Sequence, residues 1–226
     1  MEQQRQADER LRQQRQQELE RARQNERRVS DQEQRQRIAQ QQQILTQYRS
    51  RWQQQQTIAE QRQRTLEQQR RASQACFQSD YLQRLRDQQN QYRNDYDYYN
   101  DPYFYTAPTY RYYRSGRYYQ VNYYAVNYLQ QAINYGYQEG YRAGVADRED
   151  RWRYGYTNIY AYEDATWGYP GYYLDMTEYQ YYFRQGFRRG YEDGYYGRYR
   201  YGTYYDGNYS ILFSILTKIL NLQVIR

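Results

Sequence analysis

Two clusters of carboxylates are the residues of this sequence best suited to chemistry. Asp147, Glu149 and Asp150 close one segment, and Glu192 and Asp193 lie within another. Paired carboxylates can do general acid–base work or bind Ca²⁺. Arginines flank both clusters in the sequence, namely Arg142, Arg148, Arg151, Arg188, Arg189 and Arg198. We therefore expect structural ion pairs at both clusters rather than a catalytic or calcium site.

Other catalytic and cofactor-binding chemistry lacks the residues that it needs. The chain has no histidine and a single cysteine, Cys76, which excludes Ser-His and Cys-His nucleophiles and Cys/His zinc sites within one chain. No phosphate-binding glycine loop occurs, and the acidic segment 94–101 lacks the glycine and terminal glutamate of a calcium loop. The sequence predicts a non-enzymatic protein with no cofactor and no metal.

The two acidic clusters belong to a pair of glycine repeats. Three glycines spaced by four residues recur at a constant offset of fifty, as Gly136, Gly140 and Gly144 and then Gly186, Gly190 and Gly194. Such spacing places each set on one face of a helix. Each glycine costs a helix about 1 kcal/mol relative to alanine, so a stripe of three needs a compensating contact.

That contact is predicted to be close packing of the two stripes. We expect a helical hairpin in which the striped helices face each other, because glycine lets two backbones approach. The aromatic residues that follow the glycines are expected to close over the seam, namely Tyr137, Tyr141, Phe187 and Tyr191. The alternative is a Gly/Tyr low-complexity region in which the glycines break helices.

The repeats also resemble a known group of sequences. The stretches YGYQEGYRAGVADR and FRQGFRRGYEDGYYGRYRYG, within about residues 128–202, are similar to bacterial proteins of unknown function with tandem YRxGYxxGxxD blocks. The resemblance implies a bacterial source and carries no function. Relatives of this kind often have export signals, whereas the N-terminus of this chain has no apolar signal segment. A cytoplasmic location is the default expectation, and the cell envelope is the alternative if the N-terminus is truncated.

Residues 1–91 are expected to form one long helical arm that projects from the rest. This segment is about one-third glutamine and contains no glycine or proline, and its other residues favour helices. Apolar residues recur every seven positions, at Ile38, Leu45, Trp52, Ala59 and Leu66, which indicates weak coiled-coil character. The alternative is a partly disordered glutamine-rich tract. Near its end, Phe77, Tyr81 and Leu85 share a face on which the arm can dock.

The remainder divides into three parts. Residues 92–121 are a tyrosine-rich stretch punctuated by Pro102, Pro108 and Gly116, and are predicted to be a linker without regular structure. Residues 122–207 hold the glycine repeats. Residues 208–226 form the only conventional amphipathic pattern and predict a C-terminal helix too short to span a membrane. Because the chain has 37 tyrosines and few aliphatic residues, the predicted fold is all-α with a small tyrosine core.

The composition favours a structural or scaffolding protein that associates through its N-terminal helix and tyrosine-rich surface. Homo-oligomers through residues 1–91 or 211–225 are one option. Residues 1–91 hold 18 arginines and 12 acidic residues, so nucleic acid or another anionic polymer is a second candidate partner. Contact between tyrosine rings and a cell-wall polysaccharide is the third alternative. No transmembrane span is predicted.

Overall fold

Helices dominate the structure, a computed structural model that describes residues 2–24, 27–91, 96–205 and 208–225. The elements in chain order are α1 (Glu2–Gln24), α2 (Asp31–Gln68), α3 (Ala72–Gln91), α4 (Pro102–Tyr105), β1 (Tyr110–Arg114), β2 (Arg117–Val121), α5 (Tyr123–Glu149), α6 (Tyr160–Asp164), α7 (Met176–Tyr196), β3 (Gly202–Tyr205), β4 (Asn208–Ile211), α8 (Phe213–Leu220) and β5 (Gln223–Val224). The chain is thus mainly helical, as predicted, but the described residues also include five short strands, so all-α is too narrow.

The glutamine-rich N-terminal segment forms three helices, and the prediction of one long projecting helix is wrong. The first break precedes Ser30, the N-cap of α2, whose hydroxyl accepts a hydrogen bond from the Glu33 amide at 3.3 Å. The second break falls at Arg70, which takes a left-handed conformation with φ of 58°. Each break turns the chain, so the helices fold back on the remainder of the protein instead of extending away from it.

The seven-residue apolar series of α2 packs within this same chain. Ile38, Leu45, Trp52, Ala59 and Leu66 are all buried. Tyr81 and Leu85 on α3 are fully buried, and α3 contacts α5 and α6, so the predicted docking face of the segment is used. Because the apolar seam is covered inside one chain, it is not available to a second copy, and self-association through the seam of residues 1–91 is not supported.

The two glycine-striped helices, α5 and α7, pack side by side but run parallel rather than as a hairpin. Gly136, Gly140 and Gly144 lie against the backbones of Phe183, Phe187 and Tyr191 respectively, so residue numbers rise together along both helices. In a hairpin one series would fall as the other rises. The segment 150–175, which contains α6, returns the chain to the start of the pair and makes the parallel arrangement possible.

The glycines make this contact closer than any other residue would allow. A Cβ built on Gly140 would overlap the carbonyl of Phe187, and one built on Gly190 would overlap the carbonyl of Tyr137. Backbone carbonyls of each helix thus occupy the positions that Cβ atoms would take at the glycines of the other helix. This is the arrangement in which Cα–H···O contacts form between helices, and they offset part of the cost of helical glycine.

Tyrosine supplies most of the core around this pair. Of the largest side chains that are fully buried, nine are tyrosines and three are phenylalanines, namely Tyr81, Tyr110, Tyr112, Tyr137, Tyr160, Tyr169, Tyr179, Tyr182 and Tyr191 with Phe104, Phe183 and Phe187. Many of the rings meet edge to face, as Tyr112 and Tyr182 do at 5.6 Å between centroids. A ring core of this kind stands in for the missing aliphatic residues.

The predicted linker contains α4, β1 and β2 within its described residues 96–121, so the prediction of no regular structure is wrong there. Residues 92–95 lie outside the described part. β1 and β2 pair antiparallel around Ser115 and Gly116, both at positive φ, which is the geometry of a tight two-residue hairpin turn. Tyr110 and Tyr112 point into the core while Arg111 between them is exposed. This period of two, in residues with high strand propensity, explains why the segment forms strands.

The C-terminal segment is also more divided than predicted. β3 and β4 form a two-stranded sheet, α8 covers only residues 213–220, and β5 adds to the edge of β1. Ile211 and Leu212, which belong to the amphipathic pattern of residues 208–226, therefore precede α8. Leu216 and Leu220 are buried, and α8 contacts α1, α5 and α7, so it packs within the chain, while Phe213, Ile215 and Ile219 are half-buried.

The N-termini of two helices are capped by carboxylates from distant parts of the sequence. The Asp8 carboxylate on α1 accepts hydrogen bonds from the backbone amides of Phe213 and Ser214, at 2.9 and 3.0 Å, and so caps α8. Likewise Asp150 accepts from Ser73 and Gln74, both at 2.9 Å, and caps α3. Both carboxylates satisfy amides that would otherwise lack partners at a helix start.

We predict that Gly140→Ala and Gly190→Ala each destabilise the fold, although alanine is the better helix former. The added methyl group collides with an opposing carbonyl, and overpacking of this kind costs about 1–3 kcal/mol. Gly155→Ala is the control, because a Cβ there meets nothing within 4 Å. Thermal melts followed by circular dichroism should rank both helical variants below the control. A rise in melting temperature for both would contradict the packing.

We also predict that Asp8→Ala destabilises the protein by about 0.5–2 kcal/mol, because α8 loses its capping carboxylate. Glu9→Ala is the matched control, since Glu9 is an exposed neighbour on the same helix. Urea unfolding of the full chain measures both effects. If α1 projects freely, the two variants will unfold at the same urea concentration.

Candidate functional site

The residues predicted to form the aromatic seam do lie at the α5–α7 interface, but they contribute in a different way. Tyr137, Phe187 and Tyr191 are completely buried and Tyr141 nearly so. Their backbone carbonyls meet the opposing glycines. The Tyr141 ring stacks on Tyr209 of β4 at 4.0 Å, and the Phe187 ring packs against Tyr162 of α6 at 5.6 Å. The hydroxyls of Tyr137 and Tyr191 instead reach the opposite striped helix. Glycine spacing predicted the interface, whereas the ring directions depend on the surrounding strands and loops.

Two buried tyrosine–aspartate pairs join the striped helices. Tyr191 on α7 donates its hydroxyl to Asp147 on α5 at 2.6 Å, and Tyr137 on α5 donates to Asp193 on α7 at 2.9 Å. Both aspartates are fully buried. Arg71 at the start of α3 forms an ion pair with the other oxygen of Asp147. Each helix therefore gives the other one hydroxyl donor and one carboxylate acceptor.

The same pairing recurs elsewhere in the core. Tyr81 donates to Asp164 at 2.8 Å, and Tyr112 donates to Glu178 at 2.8 Å. Burial raises the pKa of Asp164 and of Glu178, and the tyrosine hydrogen bonds act in the opposite direction. Burial and the adjacent carboxylate raise the pKa of Tyr112 well above its ordinary value. A tyrosine buried in this core thus keeps its proton and uses it to satisfy a carboxylate.

The acidic clusters identified in the sequence are therefore structural. Asp147 and Asp193 accept tyrosine hydroxyls, and Asp150 caps α3. Glu192 forms an ion pair with Arg198. Glu192 pairs with a flanking arginine as expected, whereas Asp147 pairs with the distant Arg71. The tyrosine hydroxyl partners were also missed by sequence reasoning. Asp101, at the end of the acidic segment 94–101, accepts the hydroxyls of Tyr96 and Tyr173; residues 94 and 95 lie outside the described part.

The parallel arrangement brings the C-terminal ends of α5 and α7 to the same end of the molecule. Arg148 near the end of α5 lies over Gly197, the C-cap of α7. Helix C-termini carry partial negative charge, which favours arginine at this end. A cleft of about 540 Å³ opens here, between the end of α2, the start of α3 and the loop 152–159. Its volume lies in the usual range of small-ligand pockets, about 300–1,000 Å³.

The cleft is basic, polar and partly aromatic. Arg62, Arg71 and Arg153 line it, and among its described lining residues there is no carboxylate. Arg62 and Arg71 have acidic partners behind the cleft surface, Glu163 and Asp147, while the structure gives Arg153 no ion pair within the described residues. The remaining polar lining includes the exposed residues Gln69, Thr157 and Asn158.

Arg71 of the cleft lining contacts both an aromatic ring and a buried carboxylate. Its guanidinium lies over the Trp152 ring, 4.5 Å from the centroid, and its terminal nitrogen pairs with Asp147. Its Nε is buried and has no hydrogen-bond partner. The Nε atoms of Arg84 and Arg114 are buried without a partner in the same way, and the buried Nε of Arg71 is not open to a group bound in the cleft.

A row of exposed tyrosines adjoins the cleft, and we call Tyr154, Tyr196, Tyr199, Tyr209 and Tyr204 the tyrosine row. Tyr154 also lines the cleft, and its ring stacks on that of Tyr196 at 5.8 Å. Tyr199 and Tyr209 both stack on Tyr141, at 5.6 and 4.0 Å, and Tyr204 packs on Tyr209 at 4.7 Å. Four of the five tyrosines are between 40% and 56% exposed.

We predict that the protein unfolds cooperatively as the pH rises above the ordinary tyrosine pKa of about 10. Burial raises the pKa of Tyr137, Tyr179 and Tyr191, so the unfolded chain releases these protons first and folding stability falls as the pH rises. Tyrosinate absorbance should therefore increase together with loss of helical circular dichroism. The same chain in guanidinium chloride is the control. A smooth titration of all tyrosines with the helical signal retained would contradict this.

Comparisons with protein-family models, with curated proteins and with solved structures found no match to this chain. The resemblance to tandem Tyr/Gly repeat proteins therefore stays a prediction. Within the described residues, no group of three or more His, Cys, Asp or Glu side chains is placed to hold a metal ion. None of the described helices is long and apolar enough to cross a membrane. The cleft and the tyrosine row are the surface features that bear on function.

Proposed function

We propose that this protein is a non-enzymatic interaction protein with a structural role, which attaches to a polysaccharide through the tyrosine row. The observation that carries the proposal is a set of four exposed rings, Tyr154, Tyr196, Tyr199 and Tyr204, each of which packs on another tyrosine ring. Tyrosine provides a large, rigid contact face with a polar edge at a low cost in side-chain entropy. Such faces suit the apolar sides of sugar rings.

A non-enzymatic role is supported by the use of the buried carboxylates. Asp147, Asp164, Glu178 and Asp193 all accept tyrosine hydroxyls in the core, away from the cleft surface. A carboxylate held in this way is committed to the fold and is not exposed to a substrate. The exposed end of the molecule instead offers rings, amides and guanidinium groups, which bind rather than react.

The charges along the tyrosine row favour a polysaccharide over nucleic acid. Arg198 lies over the Tyr196 ring at 4.8 Å, but it is already paired with Glu192. Arg200 also approaches Glu192, at 3.6 Å. Binding to nucleic acid depends on cations that neutralise phosphates. Stacking of a sugar on tyrosine does not need such cations, so the paired arginines are no obstacle to it.

The test is retention on immobilised polysaccharides, using a neutral glucan, a neutral galactan and polygalacturonate, with duplex DNA as the competing polymer. We expect wild-type protein to bind at least one polysaccharide more tightly than DNA. The double variant Tyr196→Ala/Tyr199→Ala should bind about tenfold more weakly, since it removes two aromatic contacts of about 0.5–1.5 kcal/mol each.

A matched control is available on the β1–β2 hairpin. Tyr113 and Tyr118 are 51% and 57% exposed, close to the 49% and 56% of Tyr199 and Tyr196, and they lie outside the tyrosine row. The double variant Tyr113→Ala/Tyr118→Ala should bind as wild type does. Equal losses in both double variants, no binding to any polysaccharide, or tighter binding to DNA would each overturn the proposal.

A further inference from the structure

The cleft beside the tyrosine row differs from the row in its electrostatics. The row presents arginines that are already paired with Glu192. In the cleft, Arg62 and Arg71 are likewise paired, with Glu163 and Asp147. Arg153, however, has no ion pair within the described residues, and no acidic side chain is among the described lining. This combination favours an anion, and an anion with acceptor oxygens in particular.

The shape and the other lining residues restrict the kind of anion. A volume of about 540 Å³ is larger than a simple inorganic ion needs, and falls in the range for ring-sized organic ligands. The exposed residues Gln69, Thr157 and Asn158 can hydrogen-bond to hydroxyl groups. Tyr154 offers a ring at the mouth. Together these groups match a hydroxylated ring that carries one carboxylate.

We infer that the cleft binds an acidic sugar residue, a hexuronate, within the polysaccharide that the tyrosine row holds. Tyr154 belongs to both surfaces, so a single chain of sugars can pass from the row into the cleft. The carboxylate is received by Arg153, and the hydroxyls by the side chains of Gln69, Thr157 and Asn158. This inference rests on the proposed polysaccharide binding and adds a site that selects the acidic sugar.

The experiment compares polygalacturonate with its fully methyl-esterified form, which keeps the sugar rings and removes the negative charges. Binding of the full-length protein to each is measured by calorimetry, with free galacturonate as a third probe. Wild-type protein should prefer the acidic polymer about tenfold, as expected for one charge-assisted hydrogen bond, and should bind the free sugar acid more weakly than the polymer.

Arg153→Gln should remove most of the preference for the acidic polymer without changing binding to the ester. Arg151→Gln is the matched control, because it removes the same charge from an exposed residue that does not line the cleft. Circular dichroism checks that each variant is folded.

The outcomes separate the two proposals. Equal binding of acid and ester by the wild-type protein would overturn the acidic-sugar site and leave the tyrosine row intact. Equal effects of Arg153→Gln and Arg151→Gln would show that net charge alone causes the preference, and would also overturn it. Loss of binding to both polymers in the Tyr196→Ala/Tyr199→Ala variant, with the acid preference of any residual binding retained, supports both proposals.

Discussion

The contact between glycine and an opposing backbone carbonyl is the constraint on which the rest of this fold depends. It holds α5 and α7 closer together than side chains would permit, and it repeats three times along each helix. Because the two helices run parallel, their C-terminal ends meet, and the loop 152–159 is set beside the start of α3. The cleft and the tyrosine row both follow from that placement. An antiparallel pair with the same glycines would scatter these groups to opposite ends.

A tyrosine core imposes a second constraint, because every buried ring brings a hydroxyl that needs a partner. This chain meets most of the demand with buried carboxylates, main-chain carbonyls and glutamine amides, while the buried hydroxyl of Tyr160 has no partner among the described residues. Tyr169 donates to the Leu174 carbonyl at 2.8 Å, and the amides of Gln88 and Gln89 donate to the Tyr48 hydroxyl at 3.3 and 2.8 Å. Each such bond is directional, so the core specifies one arrangement of its elements more narrowly than an aliphatic core of equal size would.

Some of these features can be recognised in the sequence, and others have no local signal. The glycine echo at an offset of fifty predicted the helix interface. It did not determine whether α5 and α7 run parallel or antiparallel, because glycine stripes can face each other in both arrangements. The break at Ser30 has a readable capping pattern in Ser30 and Glu33, and the β1–β2 turn is readable in Ser115 and Gly116. The break at Arg70 has no glycine or proline, and the capping of α3 comes from Asp150, far along the chain. The cleft also combines three segments that are separate in the sequence, so no local motif predicts it.

The bond between Asp8 and the start of α8 spans 205 positions of the chain, and this separation bears on how the protein is made. Helix α1 cannot reach this partner until 205 further positions of the chain have been synthesised, a delay on the order of ten seconds or more at ordinary elongation rates. Non-local contacts of this kind also slow folding itself. The composition of α1 is compatible with this delay. It is rich in glutamine, arginine and glutamate and has few apolar residues, so an undocked α1 exposes little surface that would promote aggregation. The low apolar content that makes α1 a poor coiled coil thus keeps the nascent chain soluble until its C-terminal partner emerges.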